Sequence, residues 1–110
     1  MKTAALDRTL AALAEPSRRR IVDLLSERPR RAGELAEETG LTLPATSRHL
    51  KMLRECGLVA STNPEFDTRV RIYSLAPGPF AELKAWLEVT EKVWSDQLSA
   101  FKAHIEREEP

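Results

Sequence analysis

Gly57 divides this chain into two rhythms. Before it, apolar residues recur every three to four positions in short blocks cut by proline and glycine. After it the period falls to two, in Leu58-Val59-Ala60-Ser61-Thr62 and again in Val70-Arg71-Ile72-Tyr73-Ser74-Leu75. The longer period lines one face of a helix, and the shorter one lines one face of a strand. Asn63, Pro64, Asp67 and Thr68 separate the two alternating segments, and as turn formers they predict an antiparallel hairpin.

The helical blocks are well punctuated. Leu6, Leu10 and Leu13 with their neighbouring alanines predict a first helix over about 3–14, and Pro16 resets the chain. Ile21, Leu24 and Leu25 carry a second helix from Pro16 to Glu27, which Pro29 ends. A two-turn helix follows between Ala32 and Thr39, stopped by Gly40. After the turn Gly40-Leu41-Thr42, Thr42 caps a fourth helix over about 43–56, with Pro44 in its first turn and Thr46, Leu50 and Leu53 on its inner face. Pro77-Gly78-Pro79 is expected to break the hairpin, and a single helical pattern runs from Phe80 to Glu108. Those 29 residues would span roughly 43 Å, more than a domain of this size covers with its own core.

The chain has 110 residues, 42% hydrophobic and 31% charged, which predicts one folded domain over 1–110 and excludes a disordered chain. No apolar run approaches the roughly 20 residues of a membrane span. Asp7 and Arg8 interrupt the place where a signal peptide would be apolar, and the lone Cys56 excludes an intrachain disulfide, so a cytoplasmic protein is expected. No nucleophile, base and acid set and no glycine-rich phosphate loop is present, so no enzymatic activity and no cofactor are expected. Net charge is zero, yet residues 1–55 hold 11 basic against 8 acidic residues and residues 76–110 hold 4 against 7. Thr42 to Arg54 contains Arg48, Lys51 and Arg54 and no acid. Pro16 to Arg31 contains six arginines against Asp23 and Glu27, so basicity is local rather than global, and the fourth helix carries one such cluster.

A short helix, a tight turn, a second helix with a polar and basic outer face and then a two-stranded ribbon make a winged helix-turn-helix, mainly α with a β-hairpin wing over about 58–75. The string GLTLPATSRHLKMLRECGLV closely resembles the recognition region of the ArsR (arsenic-repressor) family of bacterial regulators. ALAEPSRRRIVDLL resembles that family's second helix, and RVRIYSLAPGPFAELKAWL resembles the return strand and the start of the last helix. The resemblance covers about residues 4–105 and implies a homodimeric, DNA-binding transcriptional repressor or autorepressor. Metal-sensing members carry Cys-x-Cys in the third helix, where this chain has Arg30-Arg31-Ala32-Gly33-Glu34-Leu35. Others bind zinc through Asp and His pairs on the last helix, which here offers His104 with Glu108 and Asp96. The whole pattern, Trp94 included, resembles the metal-independent branch often encoded beside START-like proteins.

The outer face of the fourth helix supplies the DNA-contacting candidates Thr42, Pro44, Ala45, Ser47, Arg48, His49 and Lys51. Small residues at a helix N-terminus allow close approach to base edges, Arg48 suits guanine, and Ser47 and Lys51 suit phosphate. Leu43 stands where the family often has Gln, and it cannot make a bidentate contact to adenine. In the wing, Arg69 and Arg71 are candidates for a narrow minor groove, opposed by Glu65 and Asp67, which could instead pair with them. Arg18, Arg19 and Arg20 follow a helix start, against the helix dipole, so they await either phosphate or solvent. Cys56 reads as a small buried hydrophobe, with redox sensing as the alternative.

Leu87, Trp94, Leu98 and Phe101 on the last helix and Leu6, Leu10 and Leu13 on the first are the dimerisation candidates, giving a twofold interface from the helices over about 3–14 and 80–108. Trp86, Trp94 and Phe101 could also admit a small apolar inducer of unknown identity. Two alternatives stand beside this reading. One is a metal- or thiol-responsive repressor; the other is a winged-helix protein-interaction module, consistent with zero net charge and the acids of the wing loop.

Overall fold

A computed structural model describes residues 2–64, 67 and 69–108. Among them the chain forms α1 (Lys2–Ala14), α2 (Pro16–Glu27), α3 (Ala32–Thr39), α4 (Leu43–Glu55), β1 (Val59–Thr62), β2 (Ile72–Leu75) and α5 (Pro77–Glu108). The order is the expected one, and the differences lie at the ends of elements. Pro77-Gly78-Pro79, expected as a break, is the first turn of α5. Proline is tolerated there because the first N–H groups of a helix have no intrahelical acceptor.

Local chemistry sets most boundaries. Glu15 caps α2 by accepting the Arg18 backbone N–H at 2.9 Å, with Pro16 next in line. Gly40 ends α3 at φ 73°, and Gly57 follows α4 at φ 77°, both in the left-handed region that glycine enters without a Cβ penalty. Gly57 N–H donates to Arg54 C=O at 3.0 Å and Leu58 N–H to Leu53 C=O at 2.9 Å, so α4 closes directly into β1.

The two strands pair antiparallel with Val59 opposite Leu75 and Thr62 opposite Ile72. The α2–α3 connection joins this sheet: Arg30 N–H donates to Tyr73 C=O at 3.0 Å and Tyr73 N–H to Arg30 C=O at 2.8 Å. Ile21, Leu24, Leu25, Leu35, Leu50, Leu53, Leu58, Val59 and Tyr73 form the core between α2, α3, α4 and the sheet. From α1 the fully buried side chains are Thr9 and Ala12, while Leu10 is exposed and Leu13 only partly covered against the core. Small residues let α1 approach closely.

α5 packs on α1 and then projects outward, about 48 Å long at 1.5 Å per residue, which draws the molecule out to 73 × 31 × 21 Å. No described helix is long and apolar enough to cross a membrane. Leu53 is completely withdrawn from solvent, at the junction of α4 with β1. Leu53→Ala is expected to cost about 2–5 kcal/mol, read as a lower urea midpoint with unchanged slope. A loss under 1 kcal/mol would place the core elsewhere.

Candidate nucleic-acid interface

The orientation of α4 is fixed from below. Thr46, Leu50 and Leu53 are buried, and the Thr46 hydroxyl donates to Thr42 C=O at 2.9 Å. The opposite side of the helix therefore faces solvent with Pro44, Ser47, Arg48 and Lys51 exposed and Ala45 half-buried. Among the described residues, Arg48, Lys51 and Arg54 make no ion pair and no side-chain hydrogen bond. Of the arginines on α2, Arg18 and Arg19 are instead held by the protein itself.

Thr42 acts within the protein: its hydroxyl accepts the Ala45 N–H at 3.3 Å and caps α4. His49 lies on the flank, half-buried, with Nδ1 3.8 Å from Glu15 Oε2. Its ring thus faces the start of α2. Arg18 Nε donates to Ala12 C=O at 2.7 Å, and Arg19 Nη1 donates to Leu13 C=O at 3.0 Å. Since one residue separates α1 from α2, the arginines of one helix's first turn meet the unpaired carbonyls of the other's last turn. The dipole mismatch read from sequence is relieved inside the chain. Arg20 is exposed.

In the wing, Asp67 Oδ1 accepts both the Arg69 backbone N–H at 2.9 Å and Arg69 Nε at 3.2 Å, though the Arg69 side chain is 90% exposed. Asp67 therefore competes for Arg69, as its position in the loop allowed. Glu65, the second acid, and Thr68 lie outside the described residues. Arg71 is exposed, and the Asn63 side-chain amide donates to Val70 C=O across the base of the loop.

On the opposite end of the molecule, Leu87, Trp94, Leu98 and Phe101 are exposed, the last three at 62–67%. Two open cavities of about 490 and 430 Å³ flank Trp94, one lined by Gln97, Leu98 and Phe101 and the other by Leu87, Thr90, Glu91, Ser95 and Leu98. Leu6 is half-buried on α1. Cys56, half-buried at the end of α4, turns its thiol to Arg8 C=O at 3.9 Å. Among the described residues, no three His, Cys, Asp or Glu side chains gather as a metal cluster.

A family model described as bacterial regulatory protein, arsR family, matches residues 15–61, from the cap of α2 into β1. The HTH-type transcriptional regulator Rv2034 of Mycobacterium tuberculosis is 36% identical over 102 residues, 93% of this chain and 90% of the relative. The chain belongs to the arsR family of bacterial regulatory proteins. It is similar in structure to an ArsR-like transcriptional regulator from Rhodococcus, with TM-score 0.73, 28% identity and 92% of each chain covered. A solution structure described as the homodimeric winged helix-turn-helix DNA-binding domain of Mb0332 from Mycobacterium bovis aligns with TM-score 0.63 and 26% identity, over 89% of this chain and 85% of that one. Family membership makes this protein a DNA-binding transcriptional regulator with a winged helix-turn-helix, not an enzyme.

Three carboxylates of this arsR-family regulator are held below their ordinary range by N–H donors. The Arg18 backbone N–H acts first on Glu15, the Arg31 backbone N–H on Glu34 and the Arg69 backbone N–H on Asp67. Each ionises more readily folded than unfolded. Its contribution is therefore complete above the ordinary values of 4.5 for Glu and 3.8 for Asp, and is lost as pH falls through the lower folded values. Stability to urea is expected to drop below about pH 5. Glu15→Gln keeps an acceptor for Arg18 without the titration and should flatten part of that drop. An acid limb identical to wild type would remove Glu15 from the account.

Proposed function

We propose that this regulator is a sequence-specific repressor that binds an inverted-repeat operator as a homodimer in the cytoplasm, without metal control. The observation that carries the reading is the outer face of α4, where Arg48 and Lys51 stand without carboxylate partners beside the small Pro44, Ala45 and Ser47. Such a face suits the major groove: small residues permit approach, Ala45 meets a thymine methyl, Arg48 reaches guanine O6 and N7, and Ser47 and Lys51 take phosphate. Thr42 contributes by holding the helix start, and His49 reaches a base or phosphate from the flank. Arg69 and Arg71 serve the minor groove, Arg69 by exchanging Asp67 for DNA.

The second half of the reading rests on α5. Leu87, Trp94, Leu98 and Phe101 form a run of exposed large apolar side chains along α5, and a second copy would cover it together with Leu6, Leu10 and Leu13 of α1. The homodimeric Mb0332 domain supports this pairing. Two α4 helices related by a twofold axis meet half-sites about 10 bp apart, and a dimer so placed on promoter DNA represses by occupancy. A small apolar inducer would enter beside Trp94, where the two cavities lie. Metal-independence rests on the donor chemistry: α3 carries no thiolate pair, and His104 is the sole histidine of α5.

Selection of genomic fragments by the purified protein, followed by footprinting, tests the reading. Protection of two half-sites is expected; no enrichment at about 0.1 M salt would leave a protein-interaction module instead. Arg48→Ala should cost roughly 1–3 kcal/mol and relax preference at one base position, whereas Lys51→Ala should weaken all sequences alike. Trp94→Glu should yield monomers by sedimentation and abolish footprints on paired half-sites. Zn²⁺ or Cd²⁺ titrated into the protein–DNA complex should leave it intact; release that Cys56→Ser or His104→Ala abolishes would establish metal sensing.

A further inference from the structure

α4 and β1 enclose a groove of about 430 Å³ lined by Lys51, Arg54, Glu55, Val59, Ala60 and Ser61. We infer that this groove seats the sugar–phosphate strand that separates the major groove met by α4 from the minor groove met by the wing, with Arg54 and Ser61 as phosphate contacts beside Lys51. The inference rests on the DNA-binding mode proposed above and assigns residues to it that the outer face of α4 does not include.

Adjacent major and minor grooves are divided by one sugar–phosphate strand, so a protein that enters one with a helix and the next with a hairpin must straddle that strand. Here the helix and the first strand of the hairpin are joined by Cys56, Gly57 and Leu58 alone, with Leu53 and Leu58 buried at the joint. The gap between them is therefore held at fixed width. Its wall carries two cations one helical turn apart, Lys51 and Arg54, both exposed and unpaired among the described residues, and a hydroxyl, Ser61, on the strand opposite. Cations and a hydroxyl are the groups that contact phosphate, and Glu55 is the one opposing charge. The plainer role for Arg54, a cation stabilising the C-terminus of α4, predicts an effect on stability without an effect on DNA.

The test uses the full-length chain and a duplex carrying the selected operator. Arg54→Gln is expected to weaken specific and random duplex by the same factor, about three- to ten-fold, and to lower the slope of log K against log salt by about 0.9. Between 50 and 200 mM salt the wild type then loses about 3.5-fold more affinity than the variant. Arg54→Lys keeps the charge and should keep the slope. A scan of single methylphosphonates should weaken wild type at a phosphate between the α4 half-site and the flanking minor groove, and leave Arg54→Gln indifferent to that position. Ser61→Ala should lose sensitivity to the same phosphate. If Arg48→Ala relaxes base preference while Arg54→Gln leaves the slope unchanged, or still responds to that methylphosphonate, the groove is not the strand's seat and the binding mode stands. If wild type protects no operator, both fall together.

Discussion

One buried arginine, through its guanidinium and its backbone together, ties the three parts on which the DNA-facing surface depends. Arg30, 5% exposed, pairs with Glu27 at the end of α2 at 3.0 Å and with Glu38 near the end of α3, while its backbone exchanges both hydrogen bonds with Tyr73 of β2. Withdrawing a charge from water is costly, and an apolar residue of similar volume often gives equal or better net stability. What Arg30 supplies is geometry. Glu27 and Glu38 keep part of their hydration, so only the guanidinium is fully desolvated, and it reaches carboxylates on two helices at once. α3 leads through the Gly40 turn into α4, and β2 carries the return side of the wing. The angle between recognition helix and wing is thus referred to one residue, whose side chain joins α2 to α3 and whose backbone joins β2.

That residue also marks where the sequence was legible and where it was not. Periodicity and punctuation placed α1 to α4, the hairpin and α5 to within a few residues, because Pro16, Gly40, Gly57 and the change of period are local signals with local causes. The start of α5 was misplaced because proline breaks a helix interior but fits its first turn, and spacing alone does not distinguish the two. Arg30 was visible as one of six arginines between Pro16 and Arg31 and as a residue standing where metal-sensing relatives carry a thiolate, and neither reading gives it a buried structural role. Its burial is set by Glu38, eight positions away, and by Tyr73, forty-three away, so no window along the chain contains its environment. Glu15 was missed for a different reason: Ser, Thr, Asp and Asn dominate as helix caps, and a glutamate in that place gives little signal.

The same division explains how a chain of zero net charge can present a cationic face. Arg18 and Arg19 are taken up by carbonyls of α1, Arg28 by Glu34 at 3.1 Å, and Arg30 by Glu27 and Glu38. Among the described residues α4 keeps three cations without protein partners, Arg48, Lys51 and Arg54, on one helix where no acid lies between Thr42 and Arg54. Meanwhile α5 neutralises its lysines by local pairs such as Lys92 with Asp96 at 3.1 Å. Net charge averages over these roles, and the local field that steers a polyanion does not.

The two faces of the molecule are built on different helices, and α1 stands between them. It packs against α5 on one side, and on the other its Arg8 carbonyl faces the Cys56 thiol at the end of α4 and its last carbonyls receive Arg18 and Arg19 of α2. Glu15, the one residue between α1 and α2, faces His49 on α4. These links are hydrogen bonds and a 3.8 Å imidazole–carboxylate contact. Thr9 and Ala12 are the α1 side chains seated most deeply, and both are small. A helix held by small side chains and polar end contacts can shift against its neighbours at lower cost than one anchored by large buried leucines. A change in how α5 is paired would therefore reach α4 through α1, and its effect on DNA affinity would be limited to the difference in free energy that the two α1 positions impose on the α4 contacts.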